Sequence, residues 1–132
     1  MRVLLDTNAY TALLSGDTRV ADILDRSDAV LMSAVVLGEL YDGFRGGSRT
    51  DRNREILASF MGKTRSITVP VTDTTAEWFA QLKQTLRKQG TPIPMNDVWI
   101  AATCLEHAAA LVSYDAHFQT IHGLLVLPES QG

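Results

Sequence analysis

Four acidic residues could carry out chemistry together: Asp6, Glu39, Asp97 and Asp115. Asp6 directly follows the apolar run "VLL", and Asp115 stands two residues after the run "LVS". Carboxylates that lie close together repel one another and raise one another's pKa, unless a cation compensates their charge. Mg²⁺ and Mn²⁺ prefer such oxygen ligands, and a divalent ion there activates water and stabilises charge on a phosphate. The four acids therefore predict metal-dependent phosphoryl chemistry, provided that the fold brings them together.

Apolar strands that alternate with helices must position these acids. The pattern predicts an α/β fold with a parallel sheet of about five strands, covered by helices on both sides. Strands are predicted at Arg2–Leu5, Ala29–Met32, Ser66–Val69, Leu111–Ser113 and Leu124–Leu127. Helices are predicted at Thr7–Leu14, at Thr18–Leu24 with Thr18 as N-cap, from the N-cap Ser33 to about Phe44, at Thr50–Met61, at Thr74–Gln89 with Trp78, Leu82 and Leu86 as its apolar stripe, from Asn96 or Asp97 onwards, and at Asp115–Ile121.

The order of the strands decides whether the acids meet. In a sheet ordered 3-2-1-4-5, the first and fourth strands are neighbours, and sites in such sheets form at the carboxyl ends of the strands. Asp6 and Asp115 follow these two strands, Asp97 lies in the first turn of the helix before the fourth strand, and Glu39 lies in the helix after the second. We therefore expect the four acids to converge on one edge of the sheet.

Each acid also has a simpler structural interpretation. Asp6 and Asp115 could cap the helices that follow them. Asp97 could favour the positive end of its own helix dipole, and Glu39 could face solvent. Each of these interpretations explains one residue, whereas a shared site explains four positions within one topology.

Length and composition limit the class of protein. A chain of 132 residues suits one compact domain spanning residues 1–132. The single cysteine, Cys104, cannot form an internal disulfide, which favours a reducing compartment. No apolar stretch approaches the roughly 18 residues of a membrane span, and Asp6 interrupts the N-terminal apolar run that a secretory signal would need. We expect a soluble cytoplasmic protein with no membrane partner.

The net charge of −3 is unevenly distributed along the chain. Residues 1–44 and 89–132 each have a balance of −4, whereas residues 45–88 have a balance of +5. A basic surface beside an acidic site would suit a nucleic acid backbone, although solvated helix faces could give the same pattern. The candidate RNA-binding residues are Arg45, Arg49, Arg52, Arg54, Lys83, Arg87 and Lys88.

The motifs around the four acids resemble those of the PIN-domain nucleases, most closely the VapC-type toxins of type II toxin–antitoxin pairs. The segments "LLDTN", "SAVVLGELYDG", "PMNDVWIAA" and "LVSYDAHF" are similar, in this order, to the four family motifs. The resemblance places Asp6, Glu39, Asp97 and Asp115 in the catalytic metal site. It also assigns supporting roles to three polar residues, which would orient ligands or the scissile phosphate: Thr7, Asn8 and Ser113.

The resemblance implies a Mg²⁺- or Mn²⁺-dependent endoribonuclease that cleaves structured RNA of the translation machinery, such as tRNA or rRNA. It further implies a cognate VapB-type antitoxin whose tail blocks the active-site groove, and a homodimer. One position departs from part of the family. Some members carry a further acid two residues after the last one, where this chain has His117, so the resemblance assigns no fifth ligand there.

Three other interpretations compete with an active nuclease. A phosphatase of the haloacid dehalogenase type needs a second Asp two residues after the first, where this chain has Asn8, and a late lysine, whereas none follows Lys88. A phospho-accepting receiver domain also needs a late lysine. A catalytically inactive PIN-type RNA-binding module would not need all four acids. The histidines at 107, 117 and 122 are expected to play no catalytic part, with a substrate contact left open for His117.

Overall fold

The computed structural model describes residues 1–63 and 65–129, and its centre is a five-stranded parallel sheet. The strands are β1 Arg2–Leu5, β2 Ala29–Ser33, β3 Ser66–Val69, β4 Ala110–Val112 and β5 Val126–Leu127. They are ordered β3-β2-β1-β4-β5, which confirms the predicted topology. β1 lies in the middle of the sheet and pairs with both β2 and β4.

In the described residues, six α-helices and one 3₁₀ helix connect the strands. They are α1 Thr7–Leu14, α2 Thr18–Asp25, α3 Ala34–Arg45, α4 Thr50–Met61, α5 Asp73–Gln89, α6 Met95–His107 and the 3₁₀ helix Ala116–Thr120. The crossovers β1 to β2 and β2 to β3 run in one direction along the sheet, and the crossover β3 to β4 runs back in the other. Because parallel crossovers are right-handed, α1 to α4 cover one face of the sheet, and α5 and α6 cover the other.

The core explains why β1 is apolar throughout its buried length. Val3, Leu4 and Leu5 have no exposed surface, as expected for a central strand with helices on both faces. Tyr10 of α1 and Phe118 of the 3₁₀ helix are also buried. None of the helices described in residues 1–63 and 65–129 is long and apolar enough to cross a membrane.

Several predicted element ends are wrong by one or two residues. Asp17, not Thr18, caps α2, because its Oδ1 accepts a hydrogen bond from the Val20 amide at 3.0 Å. α6 begins at Met95, directly after the extended residue Pro94, and not at Asn96 or Asp97. The last predicted helix is a 3₁₀ turn that starts after Asp115, which is its cap.

The apolar stripe of α5 lies one residue away from its predicted position at Trp78. Leu82 and Leu86 are buried as expected, but Trp78 is 37% exposed. Phe79 takes its place and stacks on Trp99 of α6, with ring centroids 3.9 Å apart. The positions that face α6 are therefore spaced by three and four residues, as on one side of a helix.

Candidate metal centre

The neighbouring strands β1 and β4 end at the same edge of the sheet, where the candidate site forms. The chain crosses the sheet in opposite directions after these two strands, which opens a crevice at their carboxyl ends. Asp6 follows β1 directly, and its backbone amide donates to the Val112 carbonyl at the end of β4, at 3.2 Å. Ser113 and Asp115 follow on that side. The topology therefore brings the first and last acids of the sequence together.

Asp6 is buried at the bottom of this crevice, with 6% of its surface exposed. Its Oδ1 accepts a hydrogen bond from the Ala9 amide at 2.8 Å, so it caps α1, as the simpler interpretation predicted. Burial raises the pKa of Asp6, hydrogen bonds from Ser113 and Ala9 oppose this rise, and the charges of Asp115 and Asp97 add to it. Since a carboxylate has two oxygens that can each accept more than one partner, capping and metal binding are compatible.

Asp97, Asp115 and His117 form a tighter group beside Asp6. Nδ1 of His117 lies 3.2 Å from Oδ2 of Asp97 and 3.2 Å from Oδ1 of Asp115. One ligand atom from each of these three residues lies within 4.8 Å of the other two. Burial raises the pKa of Asp97, a hydrogen bond from His117 opposes this rise, and the charge of Asp115 adds to it.

Glu39 reaches the edge of the site from α3. Thr7 Oγ1 donates to Glu39 Oε1 at 2.6 Å, and Asn96 Nδ2 donates to Glu39 Oε2 at 3.4 Å. Thr7 follows Asp6, and Asn96 precedes Asp97, so both carboxylate oxygens of Glu39 are held by neighbours of the other acids. The charge of Glu39 contributes to the raised pKa of Asp97. Glu39 is half-buried, which does not support a purely solvent-facing role.

The three polar residues predicted to support the acids differ in their contacts. Thr7 holds Glu39, and Ser113 is buried, bonds to the Asp6 carboxylate and accepts a hydrogen bond from the Asp115 amide at 3.0 Å. Asn8 is exposed, and its side chain forms no hydrogen bond within the described part of the chain. No hydrogen bond in the described residues therefore supports the role predicted for Asn8.

Two residues in the site were missed from the sequence. Asn96 was considered only as a helix start, yet its amide holds Glu39. His117 was set aside as a ligand, yet it lies between two acids. The only signal in the sequence was position: Asn96 adjoins one acid, and His117 stands where some relatives carry an additional acid.

The donor set fits a hard divalent cation. Within residues 1–63 and 65–129, no lysine or arginine forms a salt bridge with any of the four acids. Burial and mutual repulsion raise the pKa values of Asp6 and Asp97 despite their hydrogen bonds, so the protein compensates their ionised forms incompletely. A bound cation ligated by carboxylate oxygens would supply that compensation. His117 adds a nitrogen donor to the set.

The seven predicted RNA-binding residues are placed on three helices and the segment before α4. All are exposed except Lys83, which is half-buried. Lys83 Nζ lies 3.7 Å from the sulfur of Met95, two residues before Asp97, so this lysine lies on the side of α5 that approaches the start of α6. The Arg54 guanidinium lies over the Tyr41 ring, 4.8 Å from its centroid. Their proposed contacts with RNA remain predictions.

A groove of about 550 Å³ lies on the face covered by α1, α2 and α4. Its apolar lining includes Leu13, Leu14, Ile56 and Phe60, and Leu14 is 51% exposed. Charged residues line it as well: Asp25, Arg52, Glu55, Lys63 and Arg65. An apolar floor with charged groups around it suits an amphipathic segment.

Comparison with known proteins agrees with this fold. The PIN domain family model matches residues 3–124. Ribonuclease VapC5 of Mycobacterium tuberculosis is 32% identical over 119 residues, which cover 90% of this chain and 87% of that protein. The solved structure of VapBC-1 from nontypeable Haemophilus influenzae has a TM-score of 0.83 at 26% identity and covers 96% of both chains. That of VapBC-5 from M. tuberculosis has a TM-score of 0.69 at 28% identity, over 95% of this chain and 94% of the other. The chain belongs to the PIN-domain family, among the VapC-type ribonucleases.

Proposed function

We propose that this protein is a metal-dependent endoribonuclease toxin that is restrained by a cognate VapB-type antitoxin. The observation that carries the proposal is the convergence of Asp6, Asp97 and Asp115, with Glu39 beside them, at the switch point of a PIN fold. The relatives named ribonucleases support RNA as the substrate, and the VapBC complexes support the antitoxin. Structured RNA of the translation machinery is the proposed target, and the cytoplasm is where such RNA is found.

The metal site is proposed to use Asp6, Asp97 and Asp115 as ligands, with Glu39 either direct or through water. Mg²⁺ or Mn²⁺ suits these oxygens. His117 Nδ1, which lies 3.2 Å from an oxygen of each of Asp97 and Asp115, would join these ligands. Because Mg²⁺ prefers oxygen ligands, a nitrogen donor would shift the preference of the site toward Mn²⁺.

Other residues of the chain would position the metal-binding carboxylates and the RNA. A bound divalent ion supplies an activated water and stabilises charge on the phosphate. Ser113 and the Ala9 amide fix the Asp6 carboxylate, and Thr7 and Asn96 fix that of Glu39. Basic residues such as Lys83 would bind backbone phosphates, which positions an RNA without specifying its sequence.

The antitoxin is proposed to dock an amphipathic segment in the groove between α1, α2 and α4. Leu14 and Phe60 offer apolar surface there, and Arg52, Lys63 and Arg65 offer positive charge to an acidic flank. The protein is also proposed to form a homodimer, which the resemblance to the family alone supports.

Different observations oppose the three alternative interpretations. Membership of the PIN family rules out the haloacid dehalogenase and receiver interpretations. A catalytically inactive RNA-binding module remains the rival, and the presence of all four acids in one crevice argues against it.

Controlled expression of the chain without its partner tests the toxin role. The intact chain is expected to arrest growth, and Asp6→Asn is expected to relieve the arrest, because asparagine still caps α1 but removes a charged ligand. Asp42→Asn, an exposed acid on α3, serves as the matched control and should remain toxic. Normal growth with confirmed soluble, folded intact chain would contradict the toxin role.

A further inference from the structure

Tyr114 lies next to the metal centre without belonging to the core. Its chain neighbours are Ser113, which bonds to Asp6, and Asp115, which belongs to the group with Asp97 and His117. Consecutive Cα atoms are about 3.8 Å apart, so the backbone of Tyr114 lies directly beside that of Asp115. Nevertheless, 46% of Tyr114 is exposed. A large exposed aromatic side chain whose backbone adjoins the site is available to a ligand that extends beyond the acids.

The ring is held by a contact with the segment between α1 and α2. Tyr114 donates its hydroxyl hydrogen to Oδ2 of Asp17 at 2.6 Å, while Oδ1 of Asp17 caps α2. This bond raises the pKa of Tyr114 and lowers that of Asp17. Because the hydroxyl end of the ring is bonded to a helix cap, the ring has little rotational freedom. Stacking of a ligand on the ring therefore costs less side-chain entropy.

Arg19 supplies a positive charge at the same place. Its guanidinium carbon lies 5.8 Å from the centroid of the Tyr114 ring, within the range of a cation–π contact. Arg19 is exposed in the first turn of α2, and it forms no salt bridge with any residue of 1–63 or 65–129. An aromatic face with an arginine beside it matches the alternation of base and phosphate along a nucleic acid strand.

We propose that Tyr114 and Arg19 bind the RNA nucleotide next to the scissile phosphate: the ring stacks on its base, and the guanidinium binds a backbone phosphate. This inference rests on the proposed ribonuclease function and adds a substrate contact to it. Aromatic side chains stack on bases that are splayed out of loops, bulges and ends, so this inference places the cleaved position in a single-stranded part of the RNA. Stacking of one base changes affinity by roughly 5- to 150-fold.

The test begins with the intact chain and total RNA, in which the strongest cleavage site is mapped from its 5′ ends. An RNA oligonucleotide copied from that site, with 2-aminopurine beside the scissile bond, then reports stacking as fluorescence quenching. The oligonucleotide is bound by Asp6→Asn protein, which is expected not to cleave it. Tyr114→Ala and Tyr114→Phe are each made in this background. Trp78→Ala, which removes an exposed aromatic side chain of α5, is the matched control.

Tyr114→Ala is expected to remove the quenching and to raise the Kd about 5- to 150-fold. Tyr114→Phe should restore the quenching because it keeps the ring, and Trp78→Ala should behave like the parent. Arg19→Gln should reduce the slope of log K against log salt by about one. Unfolding curves identify any variant that has lost its structure, and Tyr114→Phe keeps the test valid if Tyr114→Ala does not fold.

Three further outcomes separate this inference from the function on which it rests. If the intact chain cleaves RNA, but Tyr114→Ala quenches and binds like the parent, the stacking contact is wrong and the ribonuclease function stands. The same conclusion follows if Tyr114→Phe loses the quenching as completely as Tyr114→Ala, because the hydroxyl would then be the group that matters. If the intact chain neither cleaves nor binds any RNA in the pool, both are overturned.

Discussion

Nδ1 of His117 lies 3.2 Å from Oδ2 of Asp97, although the two residues are separated by 20 positions in the chain. The same nitrogen lies 3.2 Å from Asp115 Oδ1. A ring nitrogen between two carboxylates occupies a position where a cation would be stabilised by both. The histidine therefore belongs to the candidate metal centre, and its contribution can be measured through metal binding without any measurement of cleavage.

Replacing His117 by alanine is expected to weaken Mn²⁺ binding by about 10-fold, a loss typical of a residue that ligates a metal or orients its ligands. Mg²⁺ binding should change less, because Mg²⁺ depends on the oxygen ligands. Isothermal titration calorimetry of the metal-free protein measures both affinities. His122→Ala, which alters an exposed histidine five positions further on, is the control. Equal Mn²⁺ affinity in His117→Ala and the parent would exclude His117 from the site.

The hydroxyl of Thr7 is expected to support catalysis by holding Glu39. Thr7→Val removes the donor of the 2.6 Å hydrogen bond, whereas Thr7→Ser keeps it. A hydrogen bond to a charged group contributes about 1.5–3 kcal/mol, so kcat/KM for RNA cleavage should fall roughly 10- to 150-fold in Thr7→Val. Thr7→Ser should stay near the parent value. Thr11→Val changes a threonine one turn further along α1 and should have little effect; comparable losses in both valine variants would point to helix damage.

Asp6 gives a prediction about the pH dependence of stability in the absence of metal. Its pKa in the folded chain is raised above the ordinary value of 3.8, mainly by burial. The folded state therefore holds the Asp6 proton more tightly than the unfolded state does. This contribution to stability is present below the unfolded pKa and is lost as pH rises through the folded pKa. At neutral pH the ionised Asp6 thus destabilises the metal-free protein.

Asp6→Asn mimics the neutral form and keeps the α1 cap. In EDTA, the variant is expected to have a higher free energy of unfolding than the parent at pH 7, with a smaller difference at acidic pH. Adding Mn²⁺ should stabilise the parent more than the variant, because binding to the folded state shifts the unfolding equilibrium. Denaturant unfolding at several pH values measures this. A variant that is less stable than the parent in EDTA at pH 7 would contradict a destabilising effect of the ionised Asp6.

Leu14→Glu tests the groove as the docking site for the antitoxin. Leu14 is half exposed at the groove, and a charge there would be buried under an apolar docked segment. Loss of one buried leucine contact, worth about 1.5–3 kcal/mol, predicts at least a 10-fold weaker complex with the partner, together with unchanged RNA cleavage by the free toxin. Leu125→Glu alters an exposed leucine outside the groove residues and is the control. Full inhibition of Leu14→Glu by the partner would place the docking site elsewhere.

The sequence predicts the positions of Asp6 and Asp115 because strand ends can be read from apolar runs. Val3–Leu5 must be a buried central strand, and the residue after it must lie at a sheet edge. The strand order then decides whether Asp6 and Asp115 meet. The order of the four motifs along the chain, which resembles that of the PIN domains, supported this strand order. These features depend on where strands begin and end, which the periodicity of hydrophobic residues indicates.

The contacts of His117 and Asn96 could not be predicted in the same way. Each depends on a side-chain direction and on the distance between two elements far apart in sequence, which periodicity does not encode. The error at Trp78 has a related cause, since Trp78 and Phe79 are adjacent aromatic residues and only the position of α6 decides which of them packs against Trp99. Similarly, Asp17 and Thr18 are both good caps, and the backbone geometry selects Asp17.

Incubation of the purified chain, freed of any partner, with total RNA tests the central claim most directly. Parallel reactions contain Mg²⁺, Mn²⁺ or EDTA, with Asp6→Asn and Asp42→Asn assayed beside the intact chain. The account predicts discrete fragments with 5′-phosphate ends from the intact chain and Asp42→Asn in either metal, and none in EDTA or from Asp6→Asn. Cleavage that persists in EDTA, or that Asp6→Asn retains in full, would contradict a metal-dependent site built on Asp6.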